Sequence, residues 1–169
     1  MDTEQQAVIL LDVDGVLNAF DHIQNTDFVF DIVNHRSIGD PRLQLNMSTE
    51  MAKQLASLPA TIKWCTTWCK HDAVSEIEDL LRIRATRALP MNVKMSQSMW
   101  PLKVEAVLDH LDAGFTVVWV DDDIAWDSLP KDYRMHPNLL CVSPDPDFGL
   151  TALHVDEMSL FLNQKASEP

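Results

Sequence analysis

The run Val8-Ile-Leu-Leu-Asp12-Val-Asp14-Gly15-Val-Leu-Asn18 constrains this chain more than any other stretch. An uninterrupted series of Val, Ile and Leu has no polar face, so it suits a strand covered on both sides, as in a parallel sheet. It stops abruptly at two acids and a Gly, which delivers carboxylates to the edge where open α/β proteins carry out their chemistry. Alternation along a strand would put Asp12 and Asp14 on one face. Gly15, however, marks a chain already turning, so the two acids are free to take different tasks. A calcium loop of the EF-hand type would need further oxygen ligands at alternate positions, and Val16, Leu17 and Phe20 stand in that stretch instead.

The rest of the chain alternates strands and helices. Strand candidates are Ala7 to Leu11, Thr61 to Thr66, Phe115 to Val120 and Leu139 to Val142, each short, apolar and mostly β-branched or aromatic. A weaker strand falls between residues 85 and 95, where Ala88, Leu89, Met91 and Val93 are interrupted by Pro90. Ser48 suits the N-cap of a helix that stripes Met51, Leu55 and Leu58 and stops before Pro59. A second helix, with Asp72 as its cap, carries Val74, Ile77 and Leu81. A third opens at Pro101, carries Val104, Val107, Leu108 and Leu111, and ends at Gly114; Val155, Met158 and Leu162 define a last one.

Strands separated by helices imply βαβ units. The expected fold is an α/β, three-layer Rossmann-like, mostly parallel sheet with helices on both faces. Phe28-Val-Phe30 and Leu43-Gln-Leu45 interrupt the alternation as two short strands around a turn at Gly39-Asp40-Pro41, so residues 19–46 read as a hairpin flap beside the first motif. The 169 residues suit one domain, spanning 1–169.

Three later features end or precede strands in the same way. Thr66, with Thr67 as its neighbour and alternative, closes the run Thr61-Ile-Lys-Trp64-Cys-Thr66. Lys103 stands one residue before Val104, beside an apolar stripe, and Lys94 competes with it. Val117-Val-Trp119-Val120 ends in Asp121, Asp122 and Asp123, three consecutive carboxylates whose repulsion is costly unless a cation or solvent relieves it.

The apolar strand followed by Asp-x-Asp-Gly-Val resembles the first signature of the haloacid dehalogenase-like (HAD) hydrolase superfamily. The later features stand in that superfamily's order, so the resemblance runs from Val8 to about Val142. The Trp-x-Thr-Thr-Trp and Gly149-Leu-Thr151 segments look like a small capless branch, in which the hairpin replaces a full cap domain. The resemblance implies a Mg²⁺-dependent phosphatase acting through an aspartyl-phosphate. Asp12 would be the nucleophile and Asp14 the acid and base; Thr66, Thr67 and Lys103 would bind the phosphoryl oxygens. Asp12, the backbone carbonyl of Asp14, Asp121 and Asp122 would hold the metal, with Asp121, Asp122 and Asp123 alternatives for the direct ligand. Keeping the second acid favours phosphate esters over haloacids.

Composition narrows the partners. Thirteen Lys and Arg against 26 Asp and Glu give a formal charge of -13, which opposes long nucleic acid and points to a phosphorylated small molecule or nucleotide, whereas the open, capless site that the resemblance implies accompanies bulkier substrates such as a nucleic-acid end or a phosphoprotein. Trp64, Trp68, Trp100 and Trp126 offer either base stacking or core packing. Cys65, Cys69 and Cys141 form no paired CxxC units, and Cys65, Cys69 and His71 lack a fourth ligand for zinc. With no leader or membrane segment in view, the cytoplasm is the expected location. Two rival readings remain at this level: a phospho-acceptor receiver-like signalling module, and a non-catalytic HAD-like protein that binds metal or a partner.

Overall fold

A computed structural model of the chain describes residues 6–21, 25–34, 44–71, 74–89, 98–124 and 126–168. Side-chain alternation along β1 (Ala7–Leu11) sets its layering. Val8 and Leu10 enter one apolar cluster, Ile9 and Leu11 the other, and all four are fully buried. A strand with no exposed face belongs in the middle of a covered sheet. The other strands of its sheet are β4 (Thr61–Trp64), β5 (Thr86–Arg87), β6 (Thr116–Val120) and β7 (Leu139–Val142), of which β4 and β6 flank β1. These make one five-stranded sheet in the order β5-β4-β1-β6-β7, and every pairing is parallel.

The Ile9 and Leu11 face is covered by α1 (Thr49–Ala56), α2 (Val74–Leu81) and α5 (Ala152–Ala166), through Met51, Leu55, Ile77 and Met158 among others. The opposite face is covered by α3 (Trp100–Asp112), through Val104, Val107 and Leu111. A short α4 (Lys131–Arg134) lies between β6 and β7. No described helix is long and apolar enough to cross a membrane.

Counting only the sheet's own strands, the order is 3-2-1-4-5. The chain runs from β1 outward to β5, then returns to the other side of β1, and this reversal opens a crevice at the carboxyl ends of β1 and β6. Receiver-type sheets run 2-1-3-4-5 instead, so the topology removes the receiver-like reading.

Several boundaries differ from the sequence reading, each for a local reason. The strand expected at Phe28-Val-Phe30 is displaced: β2 is Asp31–Asn34, antiparallel to β3 (Gln44–Met47). Asn25 Oδ1 accepts from the backbone N–H groups of Asp27 (3.0 Å) and Phe28 (3.2 Å), a local side-chain turn that keeps this stretch out of a ladder. Instead of continuing to Thr66, β4 stops at Trp64, because the chain enters a 3-10 turn, Thr67–His71, in which Cys69 N–H donates to Thr66 O. Phe115 stays outside β6, its amide closing the turn after α3 on the carbonyl of His110. The weak strand between 85 and 95 is only the two residues of β5, extended by Ala88 N–H donating to Trp64 O. Asp72, Gly39-Asp40-Pro41, Leu43, Pro90, Met91, Val93 and Lys94 lie outside the described residues.

Two polar side chains hold the framework. Ser48 caps α1 as expected, its Oγ accepting from Met51 N–H at 3.3 Å. Asn25, buried, also donates from Nδ2 to the carbonyls of Phe148 (2.7 Å) and Leu150 (2.9 Å), tying the segment before β2 to the loop before α5. Replacing Asn25 by Ala strands one buried and one half-buried carbonyl and is expected to lower unfolding free energy by about 2–4 kcal/mol, against about 1 kcal/mol for Ser48→Ala. Denaturant titration of both variants checks the ranking, and an Asn25→Ala cost below that of Ser48→Ala would contradict it.

Candidate active site

Strand parity brings the acids together. Leu11 and Val120 face α1, α2 and α5, so the next residue on each strand, Asp12 and Asp121, turns toward α3. Both remain in the ladder by one more bond, Asp12 N–H to Val120 O at 3.0 Å and Asp121 N–H to Val142 O at 3.1 Å. The side chain that meets them is Lys103, on the buried stripe of α3.

Lys103 is 6% exposed, Asp12 7% and Asp121 1%. The ammonium donates to Asp12 Oδ2 and, at 2.6 Å, to Asp121 Oδ2. Asp12 Oδ1 accepts from Val13 N–H at 2.7 Å, and Asp121 Oδ1 from Asp123 N–H at 3.3 Å. Burial alone would lower the pKa of Lys103, but the charges of Asp12 and Asp121 and their hydrogen bonds outweigh it and hold it above the ordinary lysine range. Asp121 is nevertheless raised by burial and by the charge of Asp12, with Lys103 pulling the other way, and Asp122 is raised by burial and by Asp12. For Asp121 and Asp122 alike burial is the larger cause, and the negative charge of Asp12 adds to it.

Carboxylate oxygens of Asp12, Asp121 and Asp122 lie within 4.8 Å of one another. Three carboxylates facing one lysine make an all-oxygen, net-negative set, the chemistry that suits a hard divalent cation such as Mg²⁺. Gly15 makes room for the Asp122 side chain. With φ of +67°, it sits where a Cβ would come within 2.4 Å of the Asp122 carboxyl carbon, so any other residue would push Asp122 out of the cluster. Asp123 is exposed and stands outside the set. Among the described residues no other cluster of His, Cys, Asp or Glu has this form. Cys65 is buried between β4 and α3, and burial pushes its thiol pKa up, so it stays neutral.

Asp14 leaves the strand and takes a different place. The turn after β1 is closed by Leu17 and Asn18 N–H groups on Val13 O, both at 2.9 Å. Asn18 Nδ2 donates to Asp14 Oδ1 at 2.9 Å, and Trp68 Nε1 donates to Asp14 Oδ2 at 2.8 Å. Gly149, with φ of +65°, lets the loop before α5 pass against this turn, where Leu150 N–H donates to Val16 O at 2.9 Å.

Thr66 stands two residues past the end of β4, fully buried, its Oγ1 accepting from Trp68 N–H at 3.3 Å, while Thr67 is exposed at the head of the 3-10 turn. Of the tryptophans, Trp64 is core and donates to Glu78, Trp100 packs against Trp119, and Trp126 is exposed. Asn18 and Trp68 are the contributors that residue-type reasoning passes over. Asn18 closes the first motif without carrying charge, and Trp68 resembles a core aromatic until its N–H is paired.

The family model for the HAD domain in Swiss Army Knife RNA repair proteins matches residues 8–155, from Val8 of β1 into α5. No curated protein and no solved structure matches the chain. The matched span contains the parallel sheet from Val8 onward and every residue of the acidic cluster. The chain therefore belongs to the haloacid dehalogenase-like superfamily, in the family of the HAD domain in Swiss Army Knife RNA repair proteins.

Proposed function

We propose that this protein is a phosphoric monoester hydrolase that removes a terminal phosphate from an RNA or nucleotide end. The observation that carries the reading is the assembly of buried Asp12, Asp121 and Lys103 with half-buried Asp122 at the topological switch point, with Asp14 set apart by its own donors. The family's printed connection with RNA repair supports the substrate class. The formal charge of -13 argues for a footprint confined to the terminus rather than a long groove along the polyanion.

In this reading a carboxylate oxygen of Asp12 attacks phosphorus as the bond to the leaving oxygen breaks, and Asp14 gives that oxygen its proton. Water then attacks the aspartyl-phosphate. Asp14 takes the proton from the water, the bond between phosphorus and Asp12 breaks, and inorganic phosphate leaves. Lys103, with the Thr66 hydroxyl and Thr67 beside it, offsets charge on the non-reacting phosphoryl oxygens. Asp12, Asp121 and Asp122, with the backbone carbonyl of Asp14, would hold Mg²⁺. Bound there, the ion supplies the charge neutralisation that lets a carboxylate approach a phosphate dianion.

Phosphate release is to be measured on 3′- and 5′-phosphorylated oligoribonucleotides, mononucleotides and sugar phosphates, with Mg²⁺ and with a chelator. Activity is expected on nucleotide or RNA ends, to vanish with the chelator, and to fall by about 10³-fold or more in Asp12→Asn. Unchanged Mg²⁺-dependent release by Asp12→Asn would overturn the mechanism.

Stability gives an independent check on the charge arrangement. Lys103→Met leaves Asp12 and Asp121 buried without their cation and is expected to cost about 3–5 kcal/mol. Saturating Mg²⁺ is expected to restore more stability to this variant than to the parent, because a ligand that binds only the folded state stabilises by mass action. Thermal unfolding with and without Mg²⁺ measures both; equal Mg²⁺ effects on the two proteins would contradict the proposed metal site.

A further inference from the structure

We propose that Trp68 and Asn18 are positioning residues for Asp14, fixing its carboxylate between an indole and an amide so that it meets the leaving oxygen in one orientation. The proposal rests on Asp14 as the proton-exchanging group.

Each oxygen of Asp14 has its own donor, and the donors come from different parts of the fold. Trp68 Nε1 reaches Oδ2 from the 3-10 turn behind β4, at 2.8 Å, with its residue 7% exposed. Asn18 Nδ2 reaches Oδ1 from the end of the β1 turn, at 2.9 Å, and Asn18 is likewise buried. Neither donor is loose. Trp68 N–H donates to Thr66 Oγ1, and Asn18 Oδ1 accepts from Asn46 N–H at 2.9 Å. Asn46, on β3, returns Nδ2 to Ala19 O at 2.7 Å, so the hairpin braces the amide that braces the acid.

The chemistry of the donors fits orientation rather than proton transfer. An indole N–H and a carboxamide N–H donate without titrating, so neither replaces Asp14 as the acid. A carboxylate has about four lone-pair positions, and two such bonds leave room on both oxygens for the proton and the leaving group. Holding both oxygens removes rotation about the side-chain bonds, and an acid loses much of its effect when its geometry slips by as little as ~1 Å.

The test separates orientation from general damage by the leaving group. Nitrophenolate departs without a proton, whereas a ribose oxygen needs one, and kcat/KM covers only the steps through cleavage of the first phosphorus–oxygen bond. The probes are p-nitrophenyl phosphate and ribonucleoside 3′- and 5′-monophosphates with Mg²⁺, on the full chain. Trp68→Phe keeps an aromatic side chain and removes the indole N–H donor; Asn18→Ala removes the amide donor to Asp14 without placing a second carboxyl beside it. Each is expected to lose about tenfold or more in kcat/KM on the nucleotides beyond any loss on the aryl ester, within the range of general-acid effects. Equal losses on both probes in variants shown to fold by thermal unfolding would overturn the proposal. Failure of both variants to fold would assign the two bonds to stability and overturn it as well. An inactive parent protein would instead strike the phosphatase reading itself, and the positioning role with it.

Discussion

The ammonium of Lys103, buried between the carboxylates of Asp12 and Asp121, is the interaction on which the sheet edge depends. Taking three such charges out of water costs several kcal/mol per ion unless each finds a partner. The pairing is possible because β1 and β6 are adjacent, in register, and end on the same parity, so that their first polar residues turn toward one helix. Lys103 occupies the one face of α3 that meets them. A shift of either strand by a single residue would send its carboxylate to the other layer.

The same edge gathers everything else the site uses. Gly15 lets Asp122 close on the cluster, and the turn it opens carries Asp14 away from Asp12 and onto Trp68 and Asn18. Two acids only two residues apart thereby acquire distinct surroundings, one paired with a buried ammonium and one held by neutral donors. That separation is what a nucleophile and a proton carrier require. The β2–β3 hairpin reaches this arrangement through Asn46 and Asn18, and Asn25 ties the segment before it to the loop ahead of α5.

Much of this was legible in the residues alone, and the reason is periodicity. A five-residue apolar run ending in acids announces a central strand and its edge, and β1 and β7 have the bounds that pattern gives. Lys103 was legible as the neighbour of an apolar stripe, although only the fold shows it buried rather than solvated. Long-range polar pairing was not legible. Nothing in the sequence ties Asn25 to Phe148 or Trp68 to Asp14, across 123 and 54 residues. The hairpin was misplaced because Phe28 and Phe30 look like strand residues while the Asn25 side chain takes the amides a ladder would need. Two-residue β5 carries too short a pattern to read at all.

The central claim is that Asp12 carries the phosphoryl group. It is tested most directly by quenching turnover of a radiolabelled phosphate ester with acid and locating the label by peptide mapping. The account predicts a hydroxylamine-labile label on the peptide containing Asp12, absent when Asp12 is replaced by Asn. Label on another residue, or none while the ester is consumed in rapidly quenched samples, would contradict it.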